Sequence, residues 1–403
     1  MPFPRALRAL DHRDFRLFWS GQLVSLVGTW MQTVGQAWLV LELTNSPFKL
    51  GVIGTLQFSP MLLLSFVAGA MTDRLPKRRV VIATQTALLC QAAALGVLTW
   101  SGHVRYWHVA VLATLFGVVT TMDLPARQSF IVEMVGKEDL LSAIALNSAM
   151  FNGARVVGPA VAGLLIARLG MAAAFFANAA SFLAVIAALL LLHAEGRPRP
   201  PTGRTMREEI VEGLVYATRT PLIAFVLSLL FVVSVCLLNY NVMVPLLARE
   251  VLGQGAQGFG LLMAALGAGA VGGAATLAAL GRGRPPLAAL VIPAAVLAVA
   301  TLALAAVRHF WVAVALLLVM GFSGILFMAG ANTTLQITVP DELRGRMMSL
   351  YMLVFAGVTP IGAFTFGAIT AALGVPAGFL IGGTLGLVSI LALTARWRLR
   401  PRP

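Results

Sequence analysis

The chain has 403 residues, 59% of them hydrophobic and 11% charged, with a mean hydropathy of +0.90. That composition excludes a water-soluble domain, and apolar runs that are unbroken rather than alternating with a two-residue period exclude a membrane β-barrel. The net charge of +14 sits in short joints with no basic stripe on a soluble face, so nucleic-acid binding is excluded as well.

In chain order, twelve apolar stretches are long enough to cross a ~30 Å hydrocarbon layer as helices. They cover 17–43, 49–71, 80–100, 106–124, 140–167, 171–193, 221–245, 257–280, 286–307, 311–334, 343–372 and 375–395. The first follows a basic stretch, lacks a small-residue cleavage site and runs into Thr44-Asn45-Ser46-Pro47, so it reads as a retained helix. It displays Ser25, Thr29, Gln32 and Gln36 at helical spacing, a polar stripe that suits either a substrate cavity or hydrogen bonding between helices. Glu42 lies at its far end, and Asp123 at the end of the fourth stretch. Either carboxyl is a candidate for carrying a coupling proton, although acids near an interface are also commonly just solvated.

The joint after the second stretch reads Gly69-Ala-Met-Thr-Asp73-Arg74-Leu-Pro-Lys77-Arg78-Arg79. Its cations alone would follow from membrane anchoring; Asp73 would not. The fifth stretch carries Asn152, Arg155, Gly158 and Pro159. Arg155 is the one cation deep in a span, where it costs at least ~2.5–3.5 kcal/mol and needs a partner, a substrate anion or a structural acceptor. Gly158-Pro159 marks a bend or gate, or simply close helix packing. Residues 194–220 form a polar, Pro- and Arg-rich linker, amphipathic from Arg207 to Thr218, and divide a bundle at 1–193 from a bundle at 221–403. In the second bundle Asn239, Asn241 and Asn332 are the polar candidates for substrate contact, and the glycines of the eighth stretch suit close packing. Cys90 and Cys236 fall inside spans, so no disulfide or thiolate metal site is expected.

With twelve spans, 23 basic residues fall on the side of both termini and five on the other, which places both ends in the cytoplasm. The two halves also match at an offset of a little over 200 residues: Gly69 with Gly273, Arg78 with Arg282, Val135-Gly-Lys-Glu-Asp-Leu140 with Val339-Pro-Asp-Glu-Leu343, and Gly158-Pro159 with Thr359-Pro360. Duplicated halves are the architecture in which transporters place a substrate site between repeats.

The Gly69 joint resembles the hallmark of the major facilitator superfamily. The stretches TWMQTVGQAWLVLELTNSP and DLPARQSFIVEMV, and the Gly-Pro motif of span 5, resemble its bacterial branch of enterobactin exporters and transmembrane secretion effectors. The resemblance implies two pseudo-symmetric six-helix bundles. It implies that Gly69, Asp73, Arg74 and Arg78 latch one face, with Asp73 near the N-terminus of span 11. It also implies export. Pro76 stands where the wider family often has glycine, Leu277 replaces Asp73 in the second half, and Leu164 replaces a frequent glycine.

The expectation is an all-α polytopic protein of the bacterial cytoplasmic membrane, acting as a monomer among membrane lipids. It would export a small amphipathic or hydrophobic compound by alternating access against protons. The alternatives are a lipid or lysolipid translocase and a non-transporting receptor or scaffold. No phosphate loop or metal-ligand spacing occurs, so no cofactor and no enzyme activity are expected.

Overall fold

In a computed structural model, residues 5–136, 138–196, 214–279 and 285–399 are described. All regular structure among them is helical. After a 3-10 turn at Arg5–Asp11 come α1 (Arg13–Thr44), α2 (Pro47–Arg74), α3 (Lys77–Trp100), α4 (Tyr106–Val135), α5 (Leu140–Leu169) and α6 (Met171–Leu191). Residues 214–219 are helical, and α7 (Pro221–Cys236), α8 (Tyr240–Leu246), α9 (Ala256–Ala279) and α10 (Ala288–Leu304) follow. The chain continues with α11 (Phe310–Thr338), α12 (Asp341–Met352), α13 (Thr359–Leu373) and α14 (Val375–Arg398).

Among the described residues ten helical segments are long and apolar enough to cross a membrane, so this is a multi-pass membrane protein. With no water in the hydrocarbon layer, each must satisfy its own backbone, which a helix does. Two of the ten are composite: Pro221–Val251 joins α7, α8 and a π-turn at Leu247–Val251, and Arg346–Leu373 joins α12, a π-turn at Leu353–Gly357 and α13. The remaining two expected spans coincide with α1, whose polar residues dilute its hydropathy, and with α10, which has 17 residues. Large apolar side chains point outward, Trp100 and Trp311 being three-quarters exposed, as a lipid-facing surface requires. Most of the expected amphipathic helix at 207–218 lies outside the described residues.

The chain divides into two units. The first comprises Met1–Asn45, Ser59–Thr202 and Gly255–Ala264, and the second Ser46–Phe58, Gly203–Gln254 and Ala265–Pro403. The start of α2 is counted with the second unit and the start of α9 with the first.

In the first unit α1 packs along α6 and α5, and α3 along α6 and α4. Gly21, Gly28 and Gly35, seven residues apart, present a smooth stripe to α6. At Gly28 a Cβ would collide with the side chains of Ser181 and Asn178, so only glycine admits this approach. One end of the unit is stitched by polar contacts. Asp14 accepts from the backbone N–H groups of His193 (3.0 Å) and Ala194 (2.9 Å), and Arg78 donates to the carbonyls of Leu189 and Leu190, closing the C-terminus of α6. His12 meets Asp139 at 2.9 Å, and Ala9, fully buried, donates its N–H to Ser142.

In the second unit α10 packs on α11 and α14, and α14 on α7. The break at Leu237–Asn239 lies against α13, for Gly362 leaves no room for a Cβ beside the Asn239 side chain. Gly170, between α5 and α6, and Gly374, between α13 and α14, lie 204 residues apart and share one left-handed geometry (φ 81, ψ 170 and φ 84, ψ 165). The sequence offset is thus repeated in a backbone conformation that side-chain-bearing residues avoid.

Candidate functional site

Two polar constellations stand out in the first unit. The first joins α1 and α5. Gly158 packs against Trp30 and the Val27 carbonyl so closely that any side chain there would strike Trp30. This brings α5 onto α1, and one turn earlier the Arg155 guanidinium lies over the Trp30 ring, 5.8 Å from its centroid. Phe151 meets the same indole edge-on, with centroids 5.7 Å apart. The guanidinium therefore lies over a π-cloud, an arrangement worth about 0.5–2 kcal/mol. α5 runs unbroken through Pro159, whose carbonyl and Gly163 pack against Gly260 of α9. Trp30 escaped the sequence analysis because an apolar span offers no reason to single out one aromatic; its signal was its place two residues after Gly28 of the glycine stripe.

The second constellation surrounds Asp123, which is 2% exposed. Its Oδ1 accepts from the Thr84 hydroxyl (2.6 Å) and Gln85 Nε2 (3.0 Å), both on α3, and its Oδ2 pairs with Arg127 one turn along α4. A carboxylate withdrawn from water is thereby surrounded by one cation and two neutral donors, the pattern that makes a buried charge tolerable. Pro125 lies within this turn of α4. Thr84, Gln85 and Arg127 were not among the sequence candidates, because three scattered polar residues on two helices show no shared periodicity.

The polar stripe of α1 is divided in use. Gln32, 3% exposed, donates to Gln91 Oε1 of α3 (2.9 Å) and accepts from Asn178 Nδ2 of α6 (2.7 Å), so both ends of its amide join helices within the unit. Thr29 returns its hydroxyl to the Ser25 carbonyl at 2.9 Å. Ser25 and Gln36 are buried. Asn152 donates to the Ser148 carbonyl one turn back. Glu42 is exposed and accepts from Trp38 Nε1 at 2.8 Å.

For the latch residues, α2 carries Gly69 with nothing within 4 Å of its Cβ position and Arg74 exposed, while Arg78 is committed to the end of α6. The side chain of Asp73 lies outside the described ones. In the second unit Asn239 is buried and donates to the Val235 carbonyl (2.6 Å), and Asn241 is half-buried. Asn332 accepts from Gln336 at 2.5 Å and faces Met348 Sδ at 3.8 Å. These three asparagines are not joined to one another by any contact among the described residues.

Residues 5–402 match the transmembrane secretion effector family of major facilitator transporters. The staphyloferrin A transporter of Staphylococcus aureus is 25% identical over 91% of this chain and 92% of its own length. The enterobactin exporter EntS of Salmonella typhi is 26% identical over 97% and 95%. The multidrug efflux pump Tap of Mycolicibacterium fortuitum is 31% identical over about half of each chain. Among solved structures, a POT family transporter in complex with 5-aminolevulinic acid superposes with a TM-score of 0.76 over 95% of this chain and 96% of that one. A bacterial homolog of the human lysosomal transporter Spinster, inward-facing and unoccupied, does so at 0.68 over 95% and 94%; each is 12% identical. The helical membrane architecture, these relatives and the match along nearly the whole sequence agree: the chain belongs to the transmembrane secretion effector family, is a transporter of the major facilitator superfamily, and is not an enzyme.

Proposed function

We propose that the protein is a secondary active exporter of a small amphipathic compound with aromatic or anionic groups, driven by protons moving inward. The reading includes twelve spans in two six-helix bundles, 1–193 and 221–403, joined by the linker at 194–220, with both termini cytoplasmic. The observation that carries it is Arg155 over Trp30 beside Phe151, a cation held on an aromatic wall deep in α1 and α5. Such a wall offers π-surface to a planar molecule and a planar fork to its carboxylate, hydroxyl or phenolate oxygens. Relatives named for two siderophores and for multidrug efflux support export of molecules of that size.

Asp123 is the coupling residue in this proposal. A proton arriving on its carboxyl neutralises the charge that Arg127 pairs with, so the α3–α4 contact differs between the two protonation states, which is what a coupled cycle needs. Glu42, exposed and bonded to an indole, has no comparable enclosure.

Inverted membrane vesicles test both parts. Fluorescent planar substrates should accumulate when a pH gradient is imposed and not without one. Asp123→Asn should abolish gradient-driven accumulation while leaving substrate exchange across the membrane. Trp30→Ala should weaken substrate affinity by about 2- to 30-fold, the equivalent of a ~0.5–2 kcal/mol cation–π contribution. Accumulation indifferent to the gradient would remove the proton from the mechanism. Unchanged affinity in Trp30→Ala would remove the aromatic site.

A further inference from the structure

The partners of Asp123 divide between its two oxygens. Oδ2 faces the Arg127 guanidinium, which donates hydrogen bonds and accepts none. Oδ1 faces the Thr84 hydroxyl at 2.6 Å and Gln85 Nε2 at 3.0 Å. A proton added to the carboxylate therefore belongs on Oδ1, where a neighbouring hydroxyl carries lone pairs as well as a hydrogen. Thr84 Oγ1 also lies 3.0 Å from the Val81 carbonyl, nearly one turn back on α3. Its single hydrogen thus has two acceptors within reach and serves one at a time. While Asp123 is ionised the hydrogen goes to Oδ1, because a charge-assisted bond is roughly twice as strong as a neutral one. Once Oδ1 carries a proton, the Thr84 hydrogen turns to Val81 and the Thr84 oxygen accepts from Oδ1–H. Neither state leaves a hydroxyl hydrogen without an acceptor, although Thr84 is 6% exposed and Asp123 2%.

The surroundings leave this choice to Thr84. Helices α1, α3 and α5 pack against α4. Residues 17–41 of α1, 80–100 of α3 and 140–154 of α5 contain no Asp, Glu, Lys, Arg or His. Cys90 of α3 is exposed, and the next acid on α4, Glu133, stands nearly three turns on. Arg127 is thus the charged group that meets Asp123 among the described residues. We propose that Thr84 is the proton-state switch of the site, donating to Asp123 when it is ionised and accepting from it when it is protonated, with the Val81 carbonyl taking the Thr84 hydrogen in the second state. The proposal rests on the reading of Asp123 as the coupling carboxyl. No bond of Thr84 breaks: the incoming proton forms the Oδ1–H bond, and the Thr84 hydroxyl only rotates. The α3–α4 contact keeps its two oxygens and reverses the direction of its hydrogen bond, while Arg127 loses its anion.

Infrared difference spectra of the purified full-length protein, acidic minus neutral buffer, read the switch without a transport assay. The carboxylic C=O band that is missing in Asp123→Asn belongs to protonated Asp123. Thr84→Ser retains a hydroxyl and should keep that band in place. Thr84→Val, or Thr84→Ala if the valine variant is not monodisperse, removes the acceptor of Oδ1–H. A carboxyl group that loses a hydrogen bond absorbs at higher frequency, so the band should move upward. An unmoved band in Thr84→Val, or an equal shift in Thr84→Ser, would overturn the proposal. So would the absence of an Asp123 band down to the lowest pH at which the protein stays monodisperse. Accumulation in inverted vesicles separates the switch from the coupling itself. Accumulation indifferent to the pH gradient, with a band that moves as expected, would remove the coupling and keep the switch; gradient-driven accumulation with an unmoved band would do the reverse.

Discussion

Removing Arg127 is the sharpest test of the Asp123 constellation. In Arg127→Met the carboxylate, 2% exposed, keeps the Thr84 and Gln85 donors and loses the one cation that pairs with it among the described residues. Breaking one partner out of a buried ion pair costs about 3–5 kcal/mol, because an uncompensated charge is left behind. In the double variant Asp123→Asn/Arg127→Met the charge is gone as well. The asparagine oxygen still accepts from Thr84 and Gln85, and the residual cost is one unsatisfied amide N–H, about 1–3 kcal/mol. The double variant should therefore be more stable than the single one, recovering about 2 kcal/mol. Heating detergent-solubilised protein and scoring the monodisperse fraction by size-exclusion chromatography measures it. Arg127→Met should fall apart several degrees below the unaltered protein, with the double variant between the two. If the single and double variants melt together, or if Arg127→Met melts like the unaltered protein, the pair does not carry the buried charge and the reasoning fails.

Gln32→Leu strands Gln91 Oε1 and Asn178 Nδ2, and should destabilise by about 0.6–2 kcal/mol while substrate range in vesicles stays the same; an altered range would move Gln32 into the substrate site. Gly28→Leu should prevent α1 from docking on α6, visible as loss of monodisperse protein, whereas the neighbouring exposed Val24→Leu should be silent. With both termini cytoplasmic, an impermeant thiol reagent applied outside intact cells should label Cys at position 46 and not at 202; the reverse pattern would invert the topology. Asp73→Asn should slow transport without lowering membrane insertion, and transport at the unaltered rate would discard the latch.

Much of the helical layout was legible because the bilayer imposes a length and an apolar threshold that nothing else in the chain satisfies. Arg155 was equally legible, since one cation among twenty apolar neighbours demands a partner. Which partner it meets was not, because Trp30 becomes adjacent only through the Gly158 contact, a matter of interhelical distance rather than of pattern. Gln32 shows the same limit from the other side: helical spacing placed it on a polar stripe, but whether that stripe turns toward a ligand or toward α6 depends on the heptad of Gly21, Gly28 and Gly35, which runs alongside it. The breaks at Leu237–Asn239 and in the π-turn at 353–357 were not anticipated, although Asn239 with Asn241 and Gly357 with Pro360 stand beside them; polar and helix-starting residues inside a long apolar run do not by themselves say that the span is interrupted.

The paired glycines at 170 and 374 have a use in protein engineering. Because both helical hairpins reverse direction through the same φ and ψ, the turn is a common splice point: a chimera that crosses over there inherits the exit angle its new helix requires. Replacing either glycine by any L-residue costs about 1–3 kcal/mol before a single packing contact changes. In a saturation library these two codons should therefore be depleted together, a likeness of the two halves written in backbone geometry rather than in side chains.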